Sequence, residues 1–151
     1  MEKDVVISIR GMQKYDGADE DSIELVTEGR LVDCGEEGLH LSYQESELTG
    51  MEGTQTSFQI EKNGRITLVR SGGVNSQMVF EVGKSHLSLY QTPYGDLSIG
   101  VRTDKIRNTL EMAGGELEIR YAIEIDQTMA GYNLFHIQVR ENNRIGAEVL
   151  Q

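Results

Sequence analysis

The sequence predicts an all-β protein, an antiparallel up-and-down meander of about eight to ten strands closed into a barrel. Three observations carry this. Short stretches alternate apolar and polar residues, the clearest being Leu117, Ile119, Tyr121, Ile123 and Ile125 interleaved with Glu116, Glu118, Arg120, Ala122 and Glu124. A period of two belongs to a strand with one dry face and one wet face. Glycine-containing turns separate these stretches, and the chain has a single proline, as expected of strands that need their amide donors. An open meander would leave two exposed edges, and closure removes both. A two-sheet sandwich is the other architecture that fits the pattern.

The first strand is expected over about Asp4 to Gln13, with Val5, Ile7 and Ile9 inward, before a loop at Tyr15-Asp16-Gly17-Ala18-Asp19. The second, about Ser22 to Cys34, is long enough to need a bend, for which Gly29 is the place. Gly35-Glu36-Glu37-Gly38 turns into a third strand carrying Leu39, Leu41 and Tyr43, and a polar loop from Leu48 to Gly53 leads to the fourth, with Phe58 and Ile60. Asn63-Gly64, between Lys62 and Arg65, fits a type I′ hairpin turn, because both residues tolerate positive φ. The fifth strand holds Ile66, Leu68 and Val69, and Ser71-Gly72-Gly73-Val74-Asn75 turns into the sixth, with Met78, Phe80 and Val82. A tight Gly83-Lys84 link precedes the seventh, with Leu87 and Leu89 as its apolar positions.

Thr92-Pro93-Tyr94-Gly95 reads as a type I turn, with proline presetting φ. The eighth strand carries Leu97, Ile99 and Val101. Over residues 104–112 two readings compete. Asp104 could cap a short helix bearing Ile106 and Leu110, whereas a bulged continuation of the strand better suits a chain of hairpins. Gly114-Gly115 turns into the ninth strand, and Thr128-Met129-Ala130-Gly131 into the tenth, with Phe135, Ile137 and Val139. The polar end from Asn142 is expected to fray or to lie along the outside. No repeat, low-complexity tract or linker interrupts the chain, and one barrel domain is expected over residues 1–151.

Composition narrows the partners. The chain of 151 residues has 38% hydrophobic residues, enough for a real core, and its mean hydropathy is -0.39. The formal charge is -11 and the pI about 4.7, so phosphate backbones and anionic lipid surfaces are repelled and neither nucleic acid nor membrane is an expected partner. The single cysteine, Cys34, rules out an internal disulfide and fits a reducing compartment. Placed at a strand end with no histidine near it in sequence, it reads as an inert, half-buried thiol. No targeting segment and no apolar run approaching ~20 residues is present, so a cytoplasmic location is the expectation. A monomer and a homodimer are both compatible with the sequence.

Several blocks resemble a known family. Leu41-Ser42-Tyr43-Gln44-Glu45 is one, and Val69-Arg70-Ser71-Gly72 with Met78-Val79-Phe80 is another. Tyr90-Gln91-Thr92-Pro93-Tyr94-Gly95 with Val101-Arg102-Thr103 forms a third, and Gly115-Glu116-Leu117-Glu118-Ile119-Arg120-Tyr121 with Asn133 a fourth. In order and spacing, from Val5 to Val139, the chain is similar to the YwiB-like family of small, uncharacterised bacterial proteins. The resemblance implies a calycin-like barrel related to lipocalins and fatty-acid-binding proteins. It implies no activity and no catalytic residues. A ligand cavity follows only by analogy of fold.

The candidate binding residues are Tyr43, Glu45, Arg70, Tyr90, Thr92, Tyr94, Thr103 and Tyr121. Arg70 ends an apolar strand in a chain with 14 basic against 25 acidic residues. There it can clamp a carboxylate bidentately or pair with a glutamate of a neighbouring strand. Tyr43 and Glu45 share strand parity; Tyr43 is expected in the core and Glu45 at the rim. A buried Glu45–Arg70 pair would be costly and therefore informative. Tyr90, Tyr94 and Tyr121 can line a mouth, with Thr103 and Arg102 beside them completing a polar patch. Of Arg102 and Thr103 only one can face inward.

His40, His86 and His136 alternate with apolar neighbours and read as solvent-facing, so no metal site is assigned. No zinc-helix motif, phosphate loop or serine elbow occurs, and no cofactor or catalytic residue is assigned. The leading reading is a barrel that binds a small amphipathic or anionic molecule, favoured by a partly polar cavity near Arg70 and Tyr94. A protein–protein interaction or structural module is the alternative, favoured by a lumen filled with Phe58, Phe80, Phe135 and the leucines and isoleucines. A hydrolase or isomerase built on Glu45 or a histidine comes third and would need two titratable groups in contact in a cleft.

Overall fold

The computed structural model describes residues 1–15, 21–92, 95–125 and 128–142. Ten strands follow one another: β1 (Glu2–Tyr15), β2 (Asp21–Asp33), β3 (Leu39–Gln44), β4 (Thr54–Ile60), β5 (Ile66–Gly72), β6 (Asn75–Phe80), β7 (Ser85–Thr92), β8 (Gly95–Asn108), β9 (Gly115–Ile125) and β10 (Thr128–Glu141). Each pairs antiparallel with its neighbours in sequence, and β1 pairs with β10 to close the barrel. The meander is therefore a barrel and not a sandwich. Closure satisfies the outer backbone groups of the first and last strands, which an open sheet would leave to water or to a partner.

The inward rows are graded along the barrel. At one level Leu41, Phe58, Leu68 and Met78 stand side by side across β3, β4, β5 and β6. Val5, Ile7, Leu31, Ile66, Phe80, Leu117, Ile119 and Ile137 pack in the same core, each nearly or fully excluded from solvent. One pleat further along the same strands the level changes to Tyr43, Thr56, Arg70 and Ser76. Because side chains on one face recur every second residue, this polar level sits directly on the apolar one.

Two expected irregularities take definite form. At residues 104–112 the chain continues as β8 with a bulge between Thr103 and Lys105, and no helix forms there. The bulge lets Ile106 pair with Ile119 on the inner side. β2 runs unbroken through Gly29, but its pairing with β3 covers only Gly29 to Asp33. The first half of β2 is held by β1 alone. A Cβ at Gly29 would lie 2.3 Å from Ile7 Cδ1 and 2.5 Å from the Ser42 carbonyl oxygen, so glycine is required where the strands approach.

Other expectations are corrected. The β4–β5 turn is not a two-residue I′ turn centred on Asn63-Gly64. The Gly64 amide donates to the Glu61 carbonyl at 3.0 Å and the Glu61 amide to Arg65 at 2.9 Å, which makes Lys62-Asn63-Gly64 a three-residue loop. Gly64 takes the left-handed position (φ +96°). The Arg65 guanidinium on Glu61 and the Asn63 side chain, which accepts from the Arg65 amide at 3.0 Å, select this form.

Thr128 to Gly131 is already strand, with a bulge between Met129 and Gly131, and the connection at residues 126–127 lies outside the described residues. On β7 the faces are reversed. Ser88 is buried, whereas Leu87 and Leu89 point outward, 83% and 51% exposed. Pairing of Leu87 with Gly100 and of His86 with the buried Val101 fixes that register. His86 accordingly shares the inner face and is half-buried, its Nε2 3.1 Å from Glu81 Oε1. His40 and His136 sit on the outer face as expected. Val69 also faces outward, and Val82, just past β6, is exposed. The segment from residue 143 onward lies outside the described residues.

Candidate functional site

The polar level of the lumen opens into a cavity of about 320 Å³ at one end of the barrel. The gap between the free half of β2 and the segment after β3 shapes it. Ile23 and Leu25 of β2 form one wall, and Ile9, Leu134 and Phe135 continue the apolar lining. Over the opposite side runs the segment after β3, which enters a short 3-10 helix, Glu47–Thr49, and contributes Glu45, Thr49 and Met51. Ser46 caps that helix, its hydroxyl accepting from the Leu48 amide at 3.3 Å. Tyr43, Arg70, Tyr121 and Asn133 complete the polar part of the lining.

Below the cavity the lumen is full. Tyr121 packs against Phe80 (centroids 4.8 Å apart) and Phe135 (5.8 Å), and Phe58 meets Phe135 edge-on at 6.2 Å. Aromatic rings in these offsets pack as a floor beneath the cavity. Both outcomes weighed from the sequence thus occur at different depths: a packed core in the body and a partly polar cavity at the Arg70 end.

Glu45 is the first departure from the expected layout. It is not at the rim but 7% exposed. The Thr56 hydroxyl donates to its Oε2 at 2.5 Å and the Thr49 hydroxyl to its Oε1 at 3.1 Å. Charge-assisted bonds of this kind hold a carboxylate in one place. The Tyr43 phenol beside it is buried as expected. Its pKa is raised, chiefly because burial disfavours the phenolate and next because the Glu45 charge opposes it, with a hydrogen bond to Glu45 adding to the rise; the Arg70 charge and a hydrogen bond with Thr56 act in the other direction.

Arg70 is the second. Its expected glutamate partner is absent: no carboxylate among the described residues lies within ion-pairing distance of it. Its Nε is buried and without a hydrogen-bond partner, as are the Ser76 and Ser88 hydroxyls on the neighbouring strands β6 and β7. Glu45 and Arg70 therefore line one cavity without forming the pair considered from the sequence.

The remaining candidates divide. Tyr121 lines the cavity. Thr103 is buried but serves the fold, its hydroxyl accepting from the Glu81 amide at 3.2 Å. Arg102, on the outer face, lies 3.5 Å from Asp104 and 3.7 Å from Glu124. Tyr90 and Thr92 belong to β7, where Tyr90 pairs with Ser76 beside Arg70. Tyr94 lies outside the described residues. Sequence reasoning missed Thr49, Thr56, Ile23 and Met51. Only Thr56 carried a legible signal, since Thr54, Thr56, Phe58 and Ile60 alternate as one inward row. None of the three histidines lines the cavity, and no cluster of metal-binding side chains occurs among the described residues. No helix of the described residues is long and apolar enough to cross a membrane.

Comparison with known proteins places this architecture. The fold is similar to that of the crystal structure of the ywiB protein from Bacillus subtilis, with a TM-score of 0.80, 22% identity and 93% of each chain covered. No curated protein matches the chain. Residues 7–137 match the family model described as a domain of unknown function, DUF1934. With nearly all of its barrel inside that match and the same fold in the Bacillus protein, the chain belongs to the DUF1934 family.

Proposed function

We propose that the barrel is a binding module that takes a small amphipathic molecule at the Arg70 end, its anionic or accepting group against Arg70 and its apolar part against Ile23, Leu25 and Phe135. The observation that carries this reading is the buried, unpartnered Arg70 Nε in the wall of a cavity. Buried donors are ordinarily satisfied, and an orphan in a cavity wall is accounted for by a ligand that supplies the acceptor. A volume of about 320 Å³ suits a molecule of modest size. The analogy of fold with calycin-like binding barrels supports the same reading. Native mass spectrometry tests the reading: protein purified under gentle conditions carries a small bound mass, and Arg70→Ala loses it. A clean apo mass for both, with no stabilisation by any carboxylate in a thermal-shift panel, refutes it.

A second reading, an interaction module, draws on Leu87 and Leu89, which stand exposed on the outer face of β7. It requires self-association or partner capture that Leu87→Ser with Leu89→Ser abolishes, read by light scattering.

A further inference from the structure

We propose that the ligand is a zwitterion, with its anionic group taken by Arg70 and its cationic group by Glu45. The inference rests on the binding reading above and names the class of molecule. What carries it is a pair of opposite charges that share one cavity while each lacks a counter-ion. Glu45 is almost wholly buried, yet its carboxylate meets only neutral hydroxyls, those of Thr49, Thr56 and the Tyr43 phenol. No lysine, arginine or histidine nitrogen among the described residues comes within 4.0 Å of it. Arg70 is in the complementary position, with no carboxylate in reach and a buried Nε that donates to nothing.

The two charges are close enough for one small molecule and are held apart from each other. Thr56 of β4 stands between Tyr43 of β3 and Arg70 of β5. Two strand spacings separate those backbones, roughly 10 Å, and the side chains converge from there into the lumen. Thr49 and Thr56 fix the Glu45 carboxylate on its own side, and the Tyr43 phenol senses both charges. A molecule with a single negative charge would satisfy Arg70 but bring that charge into the space facing Glu45. A simple cation has the converse fault. A small zwitterion neutralises both walls at once, and its carbon skeleton lies on the apolar side formed by Ile9, Ile23, Leu25, Leu134 and Phe135. Asp21, also at the cavity, is exposed, so solvent screens it.

Four linear six-carbon probes test this by calorimetric titration of the intact protein: 6-aminohexanoate, 2-aminohexanoate, hexanoate and hexylammonium. The better of the two amino acids should bind about tenfold more tightly than hexanoate and hexylammonium. Glu45→Gln keeps an acceptor oxygen for one of the two threonine hydroxyls and offers an amide donor that the other can accept from, and thermal unfolding verifies that it folds. In it the order inverts: the amino acid weakens about tenfold while hexanoate tightens. A merely structural role for Glu45 would weaken all probes together. Hexanoate binding the native protein as tightly as either amino acid overturns the zwitterion and leaves the binding reading intact. Absence of binding by all four probes, together with a clean apo mass, overturns both.

Discussion

Replacing Arg70 by methionine should make the ligand-free protein more stable. The guanidinium reaches a lumen whose other inward residues at that level are Tyr43, Thr56 and Ser76, and its Nε is buried with no acceptor. A buried donor left unsatisfied costs about 1–3 kcal/mol. Arg70 is only half-buried, so solvent at the cavity side reduces this, and about 1 kcal/mol is the expected gain. Methionine retains the aliphatic stem that packs along the strand and adapts to the space beyond it. In a domain of this size 1 kcal/mol corresponds to about 2–4 °C in Tm. Urea unfolding gives the measurement: the midpoint should rise with an unchanged m-value. The same variant should lose the bound mass seen by native mass spectrometry. A loss of more than about 0.5 kcal/mol in unfolding free energy would show that Arg70 holds the fold together, and the reasoning from its orphaned nitrogen would fail.

Three further outcomes follow from the packing. Phe80→Ala removes a ring with no exposure and its contact with Tyr121, and should cost about 3–5 kcal/mol by urea unfolding. Gly29→Ala places a methyl against Ile7 Cδ1 and the Ser42 carbonyl, which the β2–β3 ladder holds in place; it should destabilise by about 2 kcal/mol, with Ile7→Val restoring only part of this. Tyr43 should remain a phenol in the native state at a pH where ordinary tyrosines ionise. Its folded pKa is raised, so stability is unaffected below about pH 10, the unfolded value, and falls as pH climbs above it. Phenolate absorbance should show Tyr43 ionising only with alkaline unfolding, and Tyr43→Phe should abolish that step; early ionisation of Tyr43 would contradict its burial.

Most of the barrel was readable because its signal is local. Along β9 Leu117, Ile119, Tyr121 and Ile123 recur at every second residue, as do Phe135, Ile137 and Val139 along β10, which groups each set on one face. β7 defeated the same reasoning. His86-Leu87-Ser88-Leu89 alternates as cleanly, yet the leucines face out because the ladder to β8 sets Ser88 against Ile99 and His86 against Val101. Alternation defines two faces without saying which one is inside. The site was half legible for the same reason. Parity brought Tyr43 and Glu45 to one face and marked Arg70 as unusual. Thr56 follows from the alternation of β4, whereas Thr49 entered only when a 3-10 helix folded back over the barrel end and carried its Oγ1 to Glu45.

By itself the sequence determined an all-β, antiparallel meander with glycine turns, because the spacing of apolar residues and the turn chemistry act over a few residues of chain. It also identified the scarce cation at the end of β5. Tertiary structure alone decided that the first and last strands pair, that the lumen is filled up to the Tyr121 and Phe135 rings, and that Glu45 and Arg70 share a cavity without meeting. Those facts depend on register between strands and on the shear of a closed barrel. Both are set by the fit of all ten strands together and by no single stretch of chain.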